Sequence, residues 1–271
     1  MGNDPLFDLS GRVVIITGGH GRLGRRFTDA LLERGAKVAV LDRVTLAADR
    51  LPEKATPENY LQLAVDITVR EELEAALDGI QSKLGGPYGL INNAALDSPP
   101  DAPPSETGPF ESYPKSSLDK VLEVNINGTV LCCQVFGAAM AEAKKGSIIN
   151  IGSIYGVVSP DHRIYKYRLE DSPEPFFKPV AYSISKSALY NFTKYLAVYW
   201  AEAGVRANIV TLAGVFDEQD QRFLEGYEAR MPMGRMAMPG EYDGLIVFLL
   251  SDASSYMTGS NVVMDGGWTA W

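Results

Sequence analysis

The feature that most limits what this chain can fold into lies near its N-terminus. Residues Arg12 to Ile16 form a β-branched run ending in Thr17-Gly18-Gly19-His20-Gly21-Arg22-Leu23-Gly24. A helical pattern follows to Arg34 and is closed by Gly35, which fits the left-handed position just past a helix. A second apolar strand, Lys37 to Leu41, then ends on Asp42. Strand, glycine turn, helix and strand within about 30 residues make the first βαβ unit of a dinucleotide-binding fold. Glycines let the backbone approach a pyrophosphate, and the helix N-terminus presents free N–H groups and positive dipole to it. The pattern is G-x-x-G-x-x-G over Gly18, Gly21 and Gly24, not the general G-x-G-x-x-G. Asp42 stands 18 residues after Gly24, close to the roughly 20 residues at which a carboxylate binds a ribose 2′-hydroxyl. A carboxylate there repels a 2′-phosphate, so NAD is expected over NADP. Arg43 is the opposing feature, since a guanidinium accepts such a phosphate.

The alternation continues down the chain. Strands are expected at Tyr60 to Val65, Gly89 to Asn92, Ser147 to Ile151, Val205 to Leu212 and Asn261 to Met264. Helices are expected at Thr68 to Leu84, Ser116 to Ala143, Tyr182 to Ala203 and Glu241 to Leu250, with Thr68 as N-cap and Glu71 three residues on. Strands alternating with helices predict an α/β fold: one Rossmann-type doubly wound parallel sheet of about seven strands, with helices on both faces. No linker or repeat divides the 271 residues, so a single domain is expected. Two stretches stand out as inserted loops near a pocket, 97–115 and 157–180. The first is dense in proline, from Pro99 to Pro114, which excludes helix and central strand.

Composition removes several functions. A formal net charge of −9 argues against nucleic acid and acidic membrane surfaces as partners. No apolar run reaches spanning length and no signal peptide is visible, so a cytoplasmic location is expected. Cys132 and Cys133 are adjacent in an apolar run and read as small buried thiols. With only His20 and His162 present, no metal site is expected.

Chemistry is carried by Tyr182-Ser183-Ile184-Ser185-Lys186. On a helix the tyrosine and lysine lie one turn apart on one face. A free phenol has a pKa of about 10, and a nearby ammonium favours the phenolate. Tyr190 and Lys194 repeat the spacing eight residues later. Two further turns rotate that pair about 80° around the helix, so the two pairs are not expected to address one pocket.

Six ordered motifs settle the choice between them by resemblance. They are the Thr17-to-Gly24 turn, Asp66-Ile67, Asn92-Asn93-Ala94-Ala95, Val124-Asn125-Ile126-Asn127-Gly128, Asn150-Ile151-Gly152-Ser153, and Tyr182 to Lys186. Over nearly its whole length the chain resembles the short-chain dehydrogenase/reductase family. The resemblance implies that Tyr182 is the acid–base residue and that Lys186 lowers its pKa and holds the nicotinamide ribose. It implies further that Ser153 bonds the substrate oxygen and that Asn125 anchors a proton relay. Taken singly, Ser153 would read as a turn cap and Asn125 as a helix-interior hydrogen bond. Cofactor contacts are implied at Gly18, His20, Gly21, Arg22, Leu23, Gly24, Asp42, Arg43, Asp66, Ile67, Asn93, Ala94, Ala95, Tyr182, Lys186 and Val215. Tyr190 is then expected to be packed or solvated. The C-terminal stretch through Asp265-Gly266-Gly267 resembles the family's subunit-packing end, which implies a homotetramer or homodimer.

Four departures bear on specificity. Arg22 replaces a usual glycine and resembles the longer sugar-nucleotide members. Ala95 replaces a glycine after the asparagines. Leu212-Ala213 stands where the family has Pro-Gly. Ser153 and Tyr182 are 29 residues apart, more than is usual. The added segment is expected either to be a solvated excursion or to wall the substrate pocket, with Tyr155 and His162, beside Ser153 and Tyr182, as substrate-facing residues. The expected function is hydride transfer between NAD(H) and a secondary alcohol or ketone, of a sugar or sugar acid. A 3-oxoacyl or general carbonyl reductase is the alternative enzyme, and a non-catalytic dinucleotide-binding protein the alternative class. The polar segment Asp217 to Gln221 speaks against a greasy acyl pocket.

Overall fold

A computed structural model describes residues 4–98, 103–171 and 173–271. Seven parallel strands form one sheet in the order β3-β2-β1-β4-β5-β6-β7: β1 Val13–Thr17, β2 Lys37–Asp42, β3 Tyr60–Ala64, β4 Pro87–Asn92, β5 Gly146–Ile151, β6 Val205–Leu212 and β7 Asn261–Met264. The expected fold class is therefore the observed one. Alternate residues of each strand point to opposite faces. From β1, Val13 and Ile15 join one core with Leu73, Ile80, Phe136 and Leu196, while Val14 and Ile16 join another with Phe27, Leu31, Ile246 and Leu250. Two such cores are why the strands read as continuous apolar runs rather than alternating ones.

The helices are α1 Arg22–Glu33, α2 Arg70–Lys83, α3 Lys115–Glu142, α4 Val180–Tyr199, α5 Gln221–Glu228 and α6 Asp243–Leu250. Three differ from expectation. The hydroxyl of Thr68 does not cap α2: it bonds the Asp66 carboxylate at 2.7 Å, and that carboxylate also accepts the Thr68 N–H at 2.9 Å. Asp66 thus closes a local turn and delays the helix to Arg70. By length and composition α3 passes as a membrane span, contrary to expectation, but Val121, Cys132, Phe136 and Met140 on it are buried in the core. Helix α5 begins at the end of the polar segment Asp217 to Gln221, where no helix was expected.

Strand order reverses between β1 and β4, and a cleft opens where their carboxyl ends part, the general ligand site of such sheets. Thr17 Oγ1 there accepts the Asn93 and Ala94 N–H groups at 3.1 Å each. The Asn93 amide returns bonds to the Thr17 and Gly18 carbonyls at 3.1 and 2.9 Å. Asn93 thus fixes the glycine turn. Of the proline-rich stretch, Pro99 and Pro100 lie outside the described residues; Pro104–Thr107 and Phe110–Ser112 are single 3-10 turns. The 157–180 stretch holds a 3-10 helix, His162–Glu170, over the same end of the sheet.

Candidate active site

Two adjoining cavities meet at this end of the sheet. The first, of about 1290 Å³, is bordered by Gly18, Gly21, Arg22, Leu23, Asp42, Arg43, Asp66, Ile67, Asn93, Ala94 and Ala95, among others. These are the residues expected at a dinucleotide, and the backbone fits one. Gly18 has φ +61°, and a Cβ on it would sit 2.8 Å from the Ala94 Cα. Gly21 caps α1 with no side-chain bond, which leaves the first N–H groups of the helix to a ligand.

Five expected cofactor residues stand elsewhere: Tyr182 borders the second cavity, Lys186 is buried behind it, and three others are placed as follows. Gly24 is behind the turn, where a Cβ would meet the Gly18 carbonyl oxygen at 2.5 Å; it lets helix and strand pack closely. The side chain of His20 borders a separate hollow of about 450 Å³ on the far side of the turn. Its backbone N–H reaches Asp42 Oδ2 at 3.0 Å, so it orients the carboxylate from behind. Val215 borders the second cavity, held there by a bridge to Ala237. Arg22 stands at the junction of the two cavities, paired with Asp217, so its charge is already matched.

The second cavity, of about 970 Å³, contains Ser153 and Tyr182 together with Tyr155, Tyr165, Asp97, Lys178, Phe223 and Tyr227. Ser153 follows β5 and its hydroxyl accepts the Tyr155 N–H at 3.1 Å, so it is a turn cap as well as a cavity residue. Tyr182 enters from the first turn of α4, its phenol in contact with the Ser153 hydroxyl. Lys186, one turn on, is buried, and its Nζ donates to the Ile151 carbonyl at 2.7 Å, 5.7 Å from the Tyr182 ring centre. Burial pushes the Tyr182 phenol up to about 12, with the Ser153 contact opposing. Burial lowers Lys186 to about 8, against the charge of Asp97. Both shifts are dominated by burial, and Lys186 stands one turn from the phenol.

Asn125 is fully buried in a wide turn of α3, Glu123–Gly128, with π-type hydrogen bonding. Its amide oxygen accepts the Leu96 N–H at 2.7 Å, and its nitrogen donates to the Leu96 carbonyl at 2.8 Å and to Ser185 Oγ at 2.9 Å. It therefore locks the loop after β4 against α4.

One expectation fails here. His162 is exposed and outside the cavity: its ring packs edge-on against Phe177, and Nδ1 accepts the Lys178 N–H at 3.3 Å. The segment's helix turns Tyr165 and Tyr167 inward in its place. Tyr190 is packed, one of its two expected placements, and it packs against the site itself. Its hydroxyl donates to the Ser153 carbonyl at 3.0 Å and lies 2.6 Å from Thr211 Oγ1. The 80° rotation carries it beneath Ser153 rather than away from it. Room for the side chain is made by Gly152 and Gly156, whose absent Cβ atoms would sit 3.0 Å from its hydroxyl and 2.7 Å from its ring. The spacing Gly-Ser-x-x-Gly was the available signal.

The inserted segment's Tyr165 belongs to an aromatic wall whose other members, Phe223, Tyr227 and Trp268, no motif marks. Tyr165, Phe223, Tyr227 and Trp268 form a chain of ring contacts, with centroids 5.7, 5.6 and 4.4 Å apart in turn. Phe223 and Tyr227 are four apart on α5, a spacing hidden by the polar residues before it.

The fold and paired cavities define a dinucleotide-dependent oxidoreductase of the Rossmann type. A family model described as short chain dehydrogenase matches residues 12–166, and one described as Enoyl-(Acyl carrier protein) reductase matches residues 174–269. Galactitol 2-dehydrogenase of Rhizobium johnstonii is 32% identical over 98% of both chains. D-threitol dehydrogenase of Mycolicibacterium smegmatis is 28% identical over 97% of this chain and 95% of its own. A solved short chain dehydrogenase from Leptospira borgpetersenii with bound NAD+ superposes with a TM-score of 0.84. It is 32% identical, over 99% of this chain and 97% of that one. The chain belongs to the short-chain dehydrogenase/reductase family and is an oxidoreductase acting on the secondary alcohol or ketone group of a small substrate.

Proposed function

We propose that this enzyme oxidises a secondary hydroxyl of a polyol to the ketone, and the reverse, with NAD(H). The observation that carries this reading is the joint placement of Ser153 and Tyr182 in a cavity walled by tyrosines and by charged side chains. Flat rings suit the C–H faces of a carbohydrate, and the polar groups suit its hydroxyls. An acyl chain would desolvate those charged groups with no hydrogen bonds of its own to offer them. The relatives named for galactitol and threitol support the same class.

When bound, the dinucleotide supplies the hydride acceptor or donor. Gly18, Gly21, Asn93 and Ala94 would hold it, and Asp42 would select the ribose without a 2′-phosphate. Arg43 borders the same crevice, yet Asp42 is the residue oriented by a backbone bond; the relative solved with NAD+ supports the same choice. In oxidation the Tyr182 phenolate takes the hydroxyl proton, and in reduction the phenol returns it to the developing alkoxide. Ser153 stabilises that oxygen. Lys186 supplies positive charge one turn below, and Asn125 keeps the loop carrying Leu96 in register with α4.

A cytoplasmic homodimer or homotetramer belongs to this reading. The buried thiols of Cys132 and Cys133 support a reducing compartment, and exposed Tyr195, Val198 and Tyr199 on α4 support a subunit contact. The functional test is NADH formation across polyols, aldonic acids and long-chain acyl alcohols, each with NAD and with NADP. A polyol with NAD should give the highest kcat/KM. Preference for an acyl substrate, or for NADP, would contradict the corresponding half of the proposal.

A further inference from the structure

The cavity has a second polar feature beside Tyr182 that the acid–base chemistry does not use. Lys178 and Asp97 form an ion pair on its wall, the lysine side chain only 16% exposed and the aspartate 53%. Lys178 Nζ lies 5.5 Å from the Tyr182 ring centre, as close as Lys186 on the other side. Both partners are held by their backbones. Asp97 follows Leu96, which Asn125 grips by both N–H and carbonyl. The Lys178 N–H is bonded to His162, and the preceding Phe177 N–H donates to the Thr107 carbonyl at 2.7 Å. The pair thus joins the loop after β4 to the long segment before α4 across the reacting group.

We propose that the Asp97–Lys178 pair is the specificity element that receives the hydroxyl next to the reacting one, so that the preferred substrates are vicinal diols. This rests on the polyol reading above and narrows it. An ammonium beside a carboxylate offers a donor and an acceptor side by side, and a hydroxyl is both. The pair as a whole is neutral, so it gives no net attraction to a carboxylate substrate. Of the other cations on the cavity wall, Arg22 is paired with Asp217, and Arg168 lies over the Phe176 ring at 4.1 Å. A sugar acid would have to be held by Arg168.

The test compares kcat/KM for vicinal butanediol and sec-butanol in the wild type, Lys178→Met, Asp97→Asn and Lys178→Arg, with gluconate as the anionic arm. NADH binding by fluorescence confirms that each variant is folded. The wild type should favour the diol by about 30-fold, the range of a hydrogen bond to a charged group. Lys178→Met and Asp97→Asn should each cut that ratio about tenfold, mainly through KM, and Lys178→Arg should restore most of it. If the wild type favours the diol and both variants keep the full ratio, this inference is wrong while the polyol reading stands. If the wild type shows no diol preference, or prefers gluconate and loses it in Arg168→Met, the polyol reading falls with it.

Discussion

Tyr190 shows how much a single hydroxyl beneath the site can matter. Its bond to the Ser153 carbonyl and its fit against Gly152 and Gly156 set the height of Ser153 in the cavity. Tyr190→Phe should lower kcat/KM about tenfold and stability by about 1 kcal/mol, the usual worth of one net hydrogen bond. Circular-dichroism melts and steady-state kinetics check both; an unchanged kcat/KM would reduce Tyr190 to packing. The pH dependence follows from Tyr182. With its phenol raised to about 12 by burial, only a small fraction is ionised near neutrality. Alcohol oxidation needs the phenolate, so its kcat/KM should climb with pH from about 7 and flatten above about 8, where Lys186 loses its proton. Ketone reduction needs the phenol and should stay level over that window. A level oxidation profile would show that the proton goes elsewhere. Tyr182, Lys186 and Ser153 were legible because local motifs mark them. Tyr190 was marked only indirectly, by the Gly152 and Gly156 spacing that makes room for it, since its partner is a backbone carbonyl 37 positions away.

At the scale of elements, the 157–180 segment is tied down by Asp161. Its carboxylate caps the 3-10 helix through the Arg163 N–H at 3.0 Å and reaches Arg230, just past α5, at 2.6 Å. The Arg163 guanidinium, bonded to the same carboxylate at 2.8 and 2.9 Å, does most to hold the Asp161 carboxyl well below the usual range, with the Arg163 N–H and Arg230 adding to it. A lowered carboxylate pKa contributes stability that is present above about pH 4 and lost as pH falls through the folded value. Asp161→Asn should therefore raise KM for the polyol several-fold with a smaller change in kcat, and cost about 1 kcal/mol at neutral pH. The difference from wild type should shrink in acid, as melts at two pH values would show; a constant difference would sink the assignment. Cofactor choice belongs to the end of β2. Asp42→Ser should raise the NADP-to-NAD ratio of kcat/KM about 100-fold by removing a like charge worth several kcal/mol. An unmoved ratio would transfer the choice to Arg43. The strands and long helices were readable from apolar periodicity. The 3-10 helix over the pocket was not, because its exposed residues follow no amphipathic stripe and its place is set by Arg230 and Phe176.

For the whole molecule, sheet order decides where chemistry can occur. The reversal between β1 and β4 opens the crevice, and the continuation through β5 and β6 brings Ser153 and Val215 to the same rim. Two loops then close over it, and their meeting at Asp97 and Lys178 could not be read from either alone. The general architecture was legible because a βαβ unit permits few continuations; the pocket's walls were not, because they come from segments far apart in the chain. The central claim is that Tyr182 moves the proton while the fold and crevice stand without it. NADH formation on the best polyol, measured for wild type and Tyr182→Phe beside NADH binding by fluorescence, tests it most directly. In Tyr182→Phe kcat should fall about 1,000-fold or more, with NADH affinity within about threefold of wild type. Wild-type turnover in Tyr182→Phe would contradict it.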